Sequence, residues 1–337
     1  MDLLEWFDQN KRDLPWRRNP NSYQVWISEI MLQQTRVETV KDYYLNFMEL
    51  FPDVESLAKA DEEVVLKAWE GLGYYRRARN MHKTSQILLR DYGASLPDDE
   101  KELLKLPGIG KYTAAAILSI AFNQPYVACD ANLYRIASRL TREEGFVEDT
   151  SSQKRMEAFL YRILDPSRPG DFNQALMDLA SMICVVRGEI LCSLCPLKDL
   201  CQAFQVGDME SFPRRKAKKK RRLEKRTVLL FENSSGIYLE KRPNSGLLAN
   251  LWGLPTLLGH QSREDILERY QNILISLQRL RDYKHIFSHV EWDMIAYRLK
   301  IVDGVYDQLP GIFLNPRELD EKYSIPSAFK PFLEEEG

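Results

Sequence analysis

The pattern of apolar residues changes once along the sequence, from one typical of helices to one typical of strands. This change most constrains the fold. From Leu3 to about Gln205, apolar residues recur at spacings of three and four with few β-branched runs, which is the pattern of amphipathic helices. From Thr227 onward, short β-rich runs such as TVLLFEN and DMIAYRLKIV alternate with turn residues. With 337 residues, the chain is long enough to bury a core in each part. We therefore predict a multidomain protein with an all-α domain followed by an α+β domain.

A basic run, RRKAKKKRRLEKR (Arg214 to Arg226), lies where the helical pattern gives way to the β-rich one and is too charged to pack into a core. We predict a helical domain over 1–205, a basic linker over 206–226 and a second domain over 227–337 with one helix near Ser262 to Ser276. The formal net charge is only −2. A protein with this balance can bind a polyanion only through local basic segments and backbone amides, and the linker itself is either a phosphate contact or a solvated spacer.

The composition also restricts the compartment. The longest mainly apolar stretch, near Thr113 to Phe122, is about half the roughly 20 residues that a bilayer span needs, and the acidic start MDLLEWFDQN is unlike a secretory signal. We expect an intracellular protein that acts in the cytoplasm on the nucleoid. Four cysteines within 18 residues, spaced C-x7-C-x2-C-x5-C, exclude a secreted disulfide framework and predict either a [4Fe–4S] cluster or a tetrahedral zinc site; they are Cys184, Cys192, Cys195 and Cys201.

The segment LKLPGIGKYTAAAIL (104–118) predicts two helices joined by a tight turn. Gly108 and Gly110 would let backbone N–H groups at the start of the second helix approach a phosphate, although an ordinary interhelical turn has the same pattern. Asp130 follows twenty residues after the second glycine and precedes a helix-compatible run, Ala131 to Leu140. Its side chain is expected to cap that helix, and a capping carboxylate stays ionised, as a cationic sugar transition state requires.

A second helical segment, YQVWISEIMLQQTRVETV (Tyr23 to Val40), carries an acid among apolar residues. Glu29 has Val25 and Trp26 one turn before it and Leu32 one turn after. Such surroundings desolvate a carboxyl group and raise its pKa, which makes it a candidate general acid at neutral pH. The alternatives are a solvated face or an ion pair with a basic neighbour; Glu38, toward the polar end of the same predicted helix, is the weaker candidate.

A third segment, EGLGYYRRARNMHK (Glu70 to Lys83), combines two glycines, two tyrosines and three arginines within ten residues. Aromatic rings beside basic groups can enter a base stack while the arginines contact phosphates. A plain turn followed by a solvated basic helix is the competing interpretation.

Together these motifs resemble those of the helix-hairpin-helix DNA glycosylases, and most closely the adenine DNA glycosylase family. The resemblance extends over essentially the whole chain and rests on motifs in the family's order: LPW-R (14–17), VWISEIMLQQT (25–35), WEGLGYY (69–75), LPGIGKYTAAAI, the Asp130 segment, FNQALMDL (172–179) and the cysteines. Beyond the linker, GLLANLWGLP (246–255) and FSHVEW (287–292) are similar to the family's second domain, which resembles the Nudix hydrolase fold and recognises 8-oxoguanine.

The resemblance implies roles for individual residues. It implies that Glu29 is the general acid, Asp130 the carboxylate beside the sugar and Tyr112 the active-site tyrosine, and that the four cysteines hold a [4Fe–4S] cluster. The implied substrate is double-stranded DNA with an adenine:8-oxoguanine mispair, bound by a monomer. The implied contacts are Trp16, Arg17 and Gln174 around the extruded adenine, Gln34, Leu72 and Tyr74 at the emptied stack and opposite base, and Phe287, Ser288 and His289 at the oxidised guanine.

Three departures from related patterns refine this expectation. The endonuclease III branch has a Schiff-base lysine two residues after the second hairpin glycine, where this chain has Tyr112, so we expect a monofunctional glycosylase without strand cleavage. The first cysteine gap has seven residues where the family usually has six. The second domain lacks the glutamate-rich Nudix box, which predicts a binding module. Two rival functions stay open: a glycosylase for mismatched thymine or oxidised pyrimidines, and a non-catalytic lesion-binding protein.

Overall fold

The computed structural model describes residues 2–217, 220–304 and 311–334. The chain divides into two compact units: residues 1–60 with 80–217, and residues 61–79 with 218–337. The first unit is helical and the second contains the sheet, as the change from helical to β-rich sequence patterns predicts. Within the described residues, no helix is both long and apolar enough to cross a bilayer.

The first unit is built from helices whose starts are fixed by capping side chains. Asp2 and Asn21 each form a capping box, in which the side chain and the backbone of the cap exchange hydrogen bonds with the first helical turn. The helices are α1 (Leu3–Asn10), α2 (Ser22–Leu32), α3 (Val37–Leu50), α4 (Val54–Lys59), α7 (Glu100–Leu103), α8 (Lys111–Ala121), α9 (Ala131–Thr141), α10 (Thr150–Ile163), α11 (Pro169–Met182) and α12 (Gln202–Val206). Helices α5 (Glu62–Ala68) and the start of α6 (Arg76–Asp91) belong to the second unit.

The core of the first unit explains why an acid becomes buried. Helix α2 packs against α8, and its side chains from Trp26 to Met31 are almost completely enclosed. A second part of the core joins α1 to α9, α10 and α11. Since α2 is apolar nearly all round, any polar side chain on it is carried into the interior.

The predicted helix from Tyr23 to Val40 is interrupted, which corrects the position of Glu38. Gln33 adopts an extended backbone and Gln34 has a φ of 60°, a left-handed conformation that ends α2. Glu38 therefore lies in the first turn of α3, and its side chain is 80% exposed and paired with Lys41. It is not a buried acid.

The second unit contains a seven-stranded sheet with the order β3-β2-β1-β6-β5, to which β4 and β7 add by pairing with β1 and β2. Strands β1 and β6 are parallel and every other pair is antiparallel. Alternate residues of β1 enter two different cores, Val228 and Leu230 on one face and Leu229 and Phe231 on the other. The strands are β1 (Arg222–Asn233), β2 (Gly236–Lys241), β3 (Trp252–Gly253), β4 (Thr256–Leu258), β5 (Leu274–Ile286), β6 (Val290–Ile301) and β7 (Gly311–Leu314).

Two predicted boundaries in this part of the chain differ from the structure. Strand β1 begins at Arg222, inside the predicted linker, because residues 222–226 pair with β6 and the Arg226 guanidinium lies 5.3 Å from the ring centre of Trp292. The predicted helix, α13 (Arg263–Tyr270), starts as expected after a Ser262 capping box but ends at Tyr270, since Leu274 already pairs with β6. Two further short helices, α14 (Pro316–Lys322) and α15 (Lys330–Leu333), follow the sheet.

Candidate active site and DNA-binding residues

The first unit contains an open cavity of about 190 Å³ beside α2 and α8. This volume far exceeds the roughly 10–15 Å³ that a single water needs, so the cavity can admit a larger group. Six residues expected at the reaction centre line it: Trp16, Arg17, Glu29, Tyr112, Asp130 and Gln174. The structure thus brings together side chains from five separate sequence motifs.

Glu29 is the acid of this cavity. It lies on the buried helix α2, and only 5% of its surface is exposed. Burial raises its pKa to about 7, against the opposing effect of a hydrogen bond from the Tyr112 hydroxyl to Glu29 Oε2; the negative charge of Asp130 raises it further and Arg17 lowers it. Near neutral pH this carboxyl group is therefore poised to give up a proton.

Tyr112 is the second residue of α8, and its hydroxyl is the donor in the bond to Glu29. Burial, and then the charges of Glu29 and Asp130, raise the pKa of Tyr112 well above 10. The tyrosine is therefore a neutral hydrogen-bond donor rather than a base. The adjacent Lys111 is exposed and is not among the residues lining the cavity.

Asp130 is the N-cap of α9, as expected, and it also faces the cavity. Its Oδ1 accepts hydrogen bonds from the backbone N–H groups of Asn132 (2.8 Å) and Leu133 (2.9 Å), and its Oδ2 accepts one from Asn132 Nδ2 (2.8 Å). Burial raises the pKa of Asp130 above its ordinary value, and these hydrogen bonds and the charge of Arg135 offset only part of this rise. Arg135 also donates to Asn132 Oδ1 (3.1 Å), which fixes the orientation of the asparagine.

An acid that the sequence did not single out orients two arginines of this cavity. Asp178 on α11 is completely buried, and its two oxygens accept bonds of 2.6 and 3.0 Å from Arg17 and one of 2.6 Å from Arg12 Nε. Both arginines line the cavity, so one buried carboxylate holds two cations there. Asp178 belongs to the quoted motif FNQALMDL, but its helical position gave no sign that it would meet residues some 160 positions away.

The hairpin between α7 and α8 has the conformation that its glycines permit. Gly108 has a φ of 81°, and a Cβ there would come within 2.8 Å of the Asn80 side chain. Gly110 is the N-cap of α8, whose first backbone N–H groups are left for an external acceptor such as a phosphate. A hydrogen bond of 2.8 Å from Thr84 to the Pro107 carbonyl anchors the turn to α6.

Within the second unit, two distant motifs meet. The Tyr74 hydroxyl and Ser288 Oγ share a hydrogen bond of 2.9 Å, and both side chains are exposed. Phe287 beside them packs edge-on against Trp292, with ring centres 5.0 Å apart. Leu72, in contrast, is buried, with only 6% of its surface exposed.

Two other expected contact residues lie on the surface. Gln34 occupies the turn between α2 and α3 and is exposed. His289 is exposed, and its carbonyl accepts a hydrogen bond from the Arg222 N–H at the start of β1.

The basic run is partly neutralised by acidic side chains. Arg214 forms an ion pair with Glu144, and Lys216 forms one of 2.5 Å with Asp149. Lys218 and Lys219 of the predicted basic linker lie outside the described residues.

The four cysteines converge around a small cavity of about 20 Å³ that is otherwise lined mainly by apolar residues. Burial and, to a smaller extent, the charges of the neighbouring cysteines raise the pKa of the Cys195 thiol to about 12. Arg139 donates a hydrogen bond of 3.0 Å to Cys184 Sγ. The longer first gap is accommodated by a loop that Gly188 turns with a φ of 89° and that a bond from the Leu191 N–H to the Ile183 carbonyl closes.

Two family models match separate parts of the chain. Residues 27–165 match the model of the HhH-GPD superfamily of base excision DNA repair proteins, and residues 226–335 match a NUDIX domain. The adenine DNA glycosylase of Mus musculus is 34% identical over 92% of this chain and 71% of its own length. That of Buchnera aphidicola subsp. Baizongia pistaciae is 33% identical over 86% of this chain and 82% of its own. The chain belongs to the adenine DNA glycosylase family.

A solved thermostable thymine-DNA glycosylase is also similar, with a TM-score of 0.55 and 29% identity over 60% of this chain and 94% of that one. Membership of the adenine DNA glycosylase family confirms that this chain is a DNA repair enzyme of the helix-hairpin-helix type with a NUDIX-like second domain. Sequence reasoning nevertheless missed Asp178, Arg12 and Asn132. Only the position of Asn132, two residues after a predicted N-cap, offered a signal, because short polar side chains there often bond to the cap.

Proposed function

We propose that this enzyme hydrolyses the N-glycosidic bond of adenine mispaired with 8-oxoguanine or guanine in duplex DNA and leaves an abasic site. The observation that carries the proposal is the convergence of Glu29, Tyr112 and Asp130 on one cavity of the first unit. A base within a duplex cannot reach such a cavity, so the adenine must be extruded, and a mispair lowers the cost of extrusion, which is a few kcal/mol.

The acid step belongs to Glu29. Its pKa of about 7 keeps part of the population protonated at neutral pH, and the proton would go to adenine N7, so that the base departs neutral. The hydrogen bond from Tyr112 orients the carboxyl group and prevents its pKa from rising further. After departure of the base, Glu29 is a carboxylate and can accept a proton from the water that adds to the sugar.

The sugar left behind carries positive charge in the transition state, which a nearby anion stabilises. Asp130 is suited to this role because three hydrogen bonds and the N-terminus of α9 favour its ionised form against the burial that raises its pKa. The two carboxyl groups thus have unlike surroundings, apolar for Glu29 and polar for Asp130, which divides the acid and anion roles between them.

The reaction should stop at the abasic site. Strand cleavage by a glycosylase of this fold needs an amine that captures the sugar, and the position of that amine is occupied by Tyr112, a neutral hydroxyl. We therefore propose a monofunctional enzyme that acts as a monomer.

Recognition of the opposite base is assigned to the second unit. The shared hydrogen bond of Tyr74 and Ser288 joins a base-stack motif to a motif expected at the oxidised guanine. The adenine DNA glycosylase of Mus musculus matches 92% of the chain, whereas the similar thymine-DNA glycosylase matches 60%, which favours adenine over thymine as the excised base.

We further propose that Cys184, Cys192, Cys195 and Cys201 hold a [4Fe–4S] cluster. The four thiols meet at one small cavity lined mainly by apolar residues, which suits thiolate ligands of an iron–sulfur cluster, and the match to the HhH-GPD superfamily favours this cluster over zinc. When bound, the cluster would cross-link the loop 184–201. Iron and acid-labile sulfide in the purified protein would support this assignment, and stoichiometric zinc would refute it.

The decisive test measures adenine release from a duplex with one adenine:8-oxoguanine pair under single-turnover conditions. Glu29→Gln should abolish release, whereas Glu38→Gln, which neutralises an exposed acid on α3, should leave it unchanged. Release of thymine instead of adenine would support the sister glycosylase, and binding without release by the wild type would support a lesion sensor. An undiminished rate in Glu29→Gln would disprove the acid assignment.

A further inference from the structure

The segment that precedes α6 is fastened to the C-terminal part of the chain inside the second unit. Glu70 Oε1 accepts a bond of 2.9 Å from Lys330 of α15, and its Oε2 accepts one of 2.6 Å from Lys67. Only 16% of the Glu70 side chain is exposed. Screening by water is therefore weaker here than at an ordinary surface ion pair, and the pair can hold the two segments together.

Two more contacts attach the same segment. Ser324 Oγ donates a hydrogen bond of 3.1 Å to the Tyr75 hydroxyl, and both residues are buried. Trp252 of β3 donates one of 3.2 Å to Glu63 at the start of α5. The segment from Glu63 to Tyr75 is thus attached at both ends. We refer to Glu70, Lys330, Tyr75 and Ser324 as the clamp.

The residue between these attachments has a strained backbone. Tyr74 has a φ of 49°, a left-handed conformation that costs an L-residue steric energy and persists only where the surroundings enforce it. Arg77 contributes from one side, since it donates to the carbonyls of Leu72 and Gly73 and its guanidinium lies 5.5 Å from the Tyr74 ring centre. Tyr75, the next residue, belongs to the clamp and fixes the backbone on the C-terminal side of Tyr74.

We propose that the clamp sets Tyr74 against Ser288 and thereby determines how strongly the enzyme distinguishes 8-oxoguanine from guanine opposite the adenine. This inference rests on the proposed function. Glu70 and Lys330 are positioning residues, because they act through the hydroxyl pair of Tyr74 and Ser288 and not on the reacting adenine. Among the residues that the structure describes, those lining the cavity with Glu29 all belong to the first unit, so the chemistry itself should not depend on the clamp.

The test uses the full-length enzyme and two duplexes, with adenine opposite 8-oxoguanine or guanine. Lys330→Met keeps the side-chain stem but removes the charge, and it should lower the ratio of the two excision rates, 8-oxoguanine over guanine, by about fivefold. Ser324→Ala should lower it in the same direction. Lys330→Arg should retain the ratio. Lys322→Met is the matched control, because Lys322 pairs only with Glu318 of its own helix among the ion pairs described.

The coupling is measured by repeating Lys330→Met in a Ser288→Ala background. If the clamp acts through the hydroxyl pair, the lysine change should have no further effect on the rate ratio there. A wild type that releases adenine from neither duplex would overturn the proposed function, and one that acts equally on both would overturn the recognition of 8-oxoguanine and the clamp with it. A wild type with the preference, and a Lys330→Met variant that retains it, would overturn the clamp alone. Equal losses on both duplexes would overturn it too, since they indicate general destabilisation.

Discussion

The buried carboxyl group of Glu29 predicts a pH-dependent loss of stability that Glu29→Gln should remove. Its pKa is about 7 in the folded protein against an ordinary value of 4.5. The folded state therefore binds the proton more tightly than the unfolded state, and stability falls as pH rises between these two values. Each pH unit of this difference corresponds to about 1.4 kcal/mol, so the folded enzyme loses about 3 kcal/mol once the carboxyl group must ionise.

The assay is thermal unfolding of the wild type and Glu29→Gln at about pH 5.5 and about pH 8, between which about 2 kcal/mol of this loss occurs. Glutamine has the size of protonated glutamate, and its side-chain oxygen can still accept the Tyr112 hydrogen bond. The advantage of the variant in Tm should therefore grow by about 4–8 °C from the lower to the higher pH.

The matched control is Glu38→Gln, since that carboxylate is 80% exposed and its removal should shift Tm equally at both pH values. An advantage of Glu29→Gln that stays constant with pH would refute the claim that Glu29 is desolvated. It would also remove the physical basis for its role as an acid at neutral pH.

Three further predictions concern the same enzyme. Tyr112→Phe removes a hydrogen bond that lowers the pKa of Glu29. The alkaline limb of the single-turnover pH–rate profile should therefore move up by about one to two pH units, and a downward shift would contradict this. Replacing Lys218 to Arg222 by glutamine should reduce the slope of log Kd for DNA against log salt by about 0.9 per lost phosphate contact. Arg214→Gln should change the slope little because Arg214 is already ion-paired, and a slope unchanged from wild type in the Lys218 to Arg222 variant would exclude a phosphate role. Asp178→Ala should cost about 2–4 kcal/mol of unfolding free energy in urea because two partly buried arginines lose their partner, and a loss below about 1 kcal/mol would contradict this.

Local sequence signals predicted the elements of this fold better than their ends. The helical spacing around Glu29 correctly indicated burial, because neighbours one turn away share its face. The end of α2 was missed because the residue with the left-handed conformation that ends it is Gln34 and not glycine, the usual sequence signal for this conformation. The start of β1 at Arg222 was missed because its pairing with β6 joins residues about 70 positions apart, and a charged run gives no local sign of it.

The same distinction applies to the candidate site. Asp130 was readable as an N-cap because capping is local. The bond from Tyr112 to Glu29, the burial of Asp178 between two arginines and the attachment of residues 61–79 to the C-terminal part of the chain were not readable. Each depends on how distant helices and strands pack, which side-chain periodicity does not encode.

Two features that lower the stability of the folded state lie where the proposed reaction needs them. The desolvated carboxyl group of Glu29 destabilises the folded state above its pKa, and the left-handed backbone of Tyr74 opposes folding at every pH. A fold selected for stability alone would replace both, the first by a neutral side chain and the second by glycine. Their presence at the cavity and beside Ser288 is what a division of labour requires, with one unit carrying out the chemistry and the other examining the opposite base. The clamp experiment and the pH dependence of Glu29→Gln test these two halves separately, because each variant leaves the other unit unchanged.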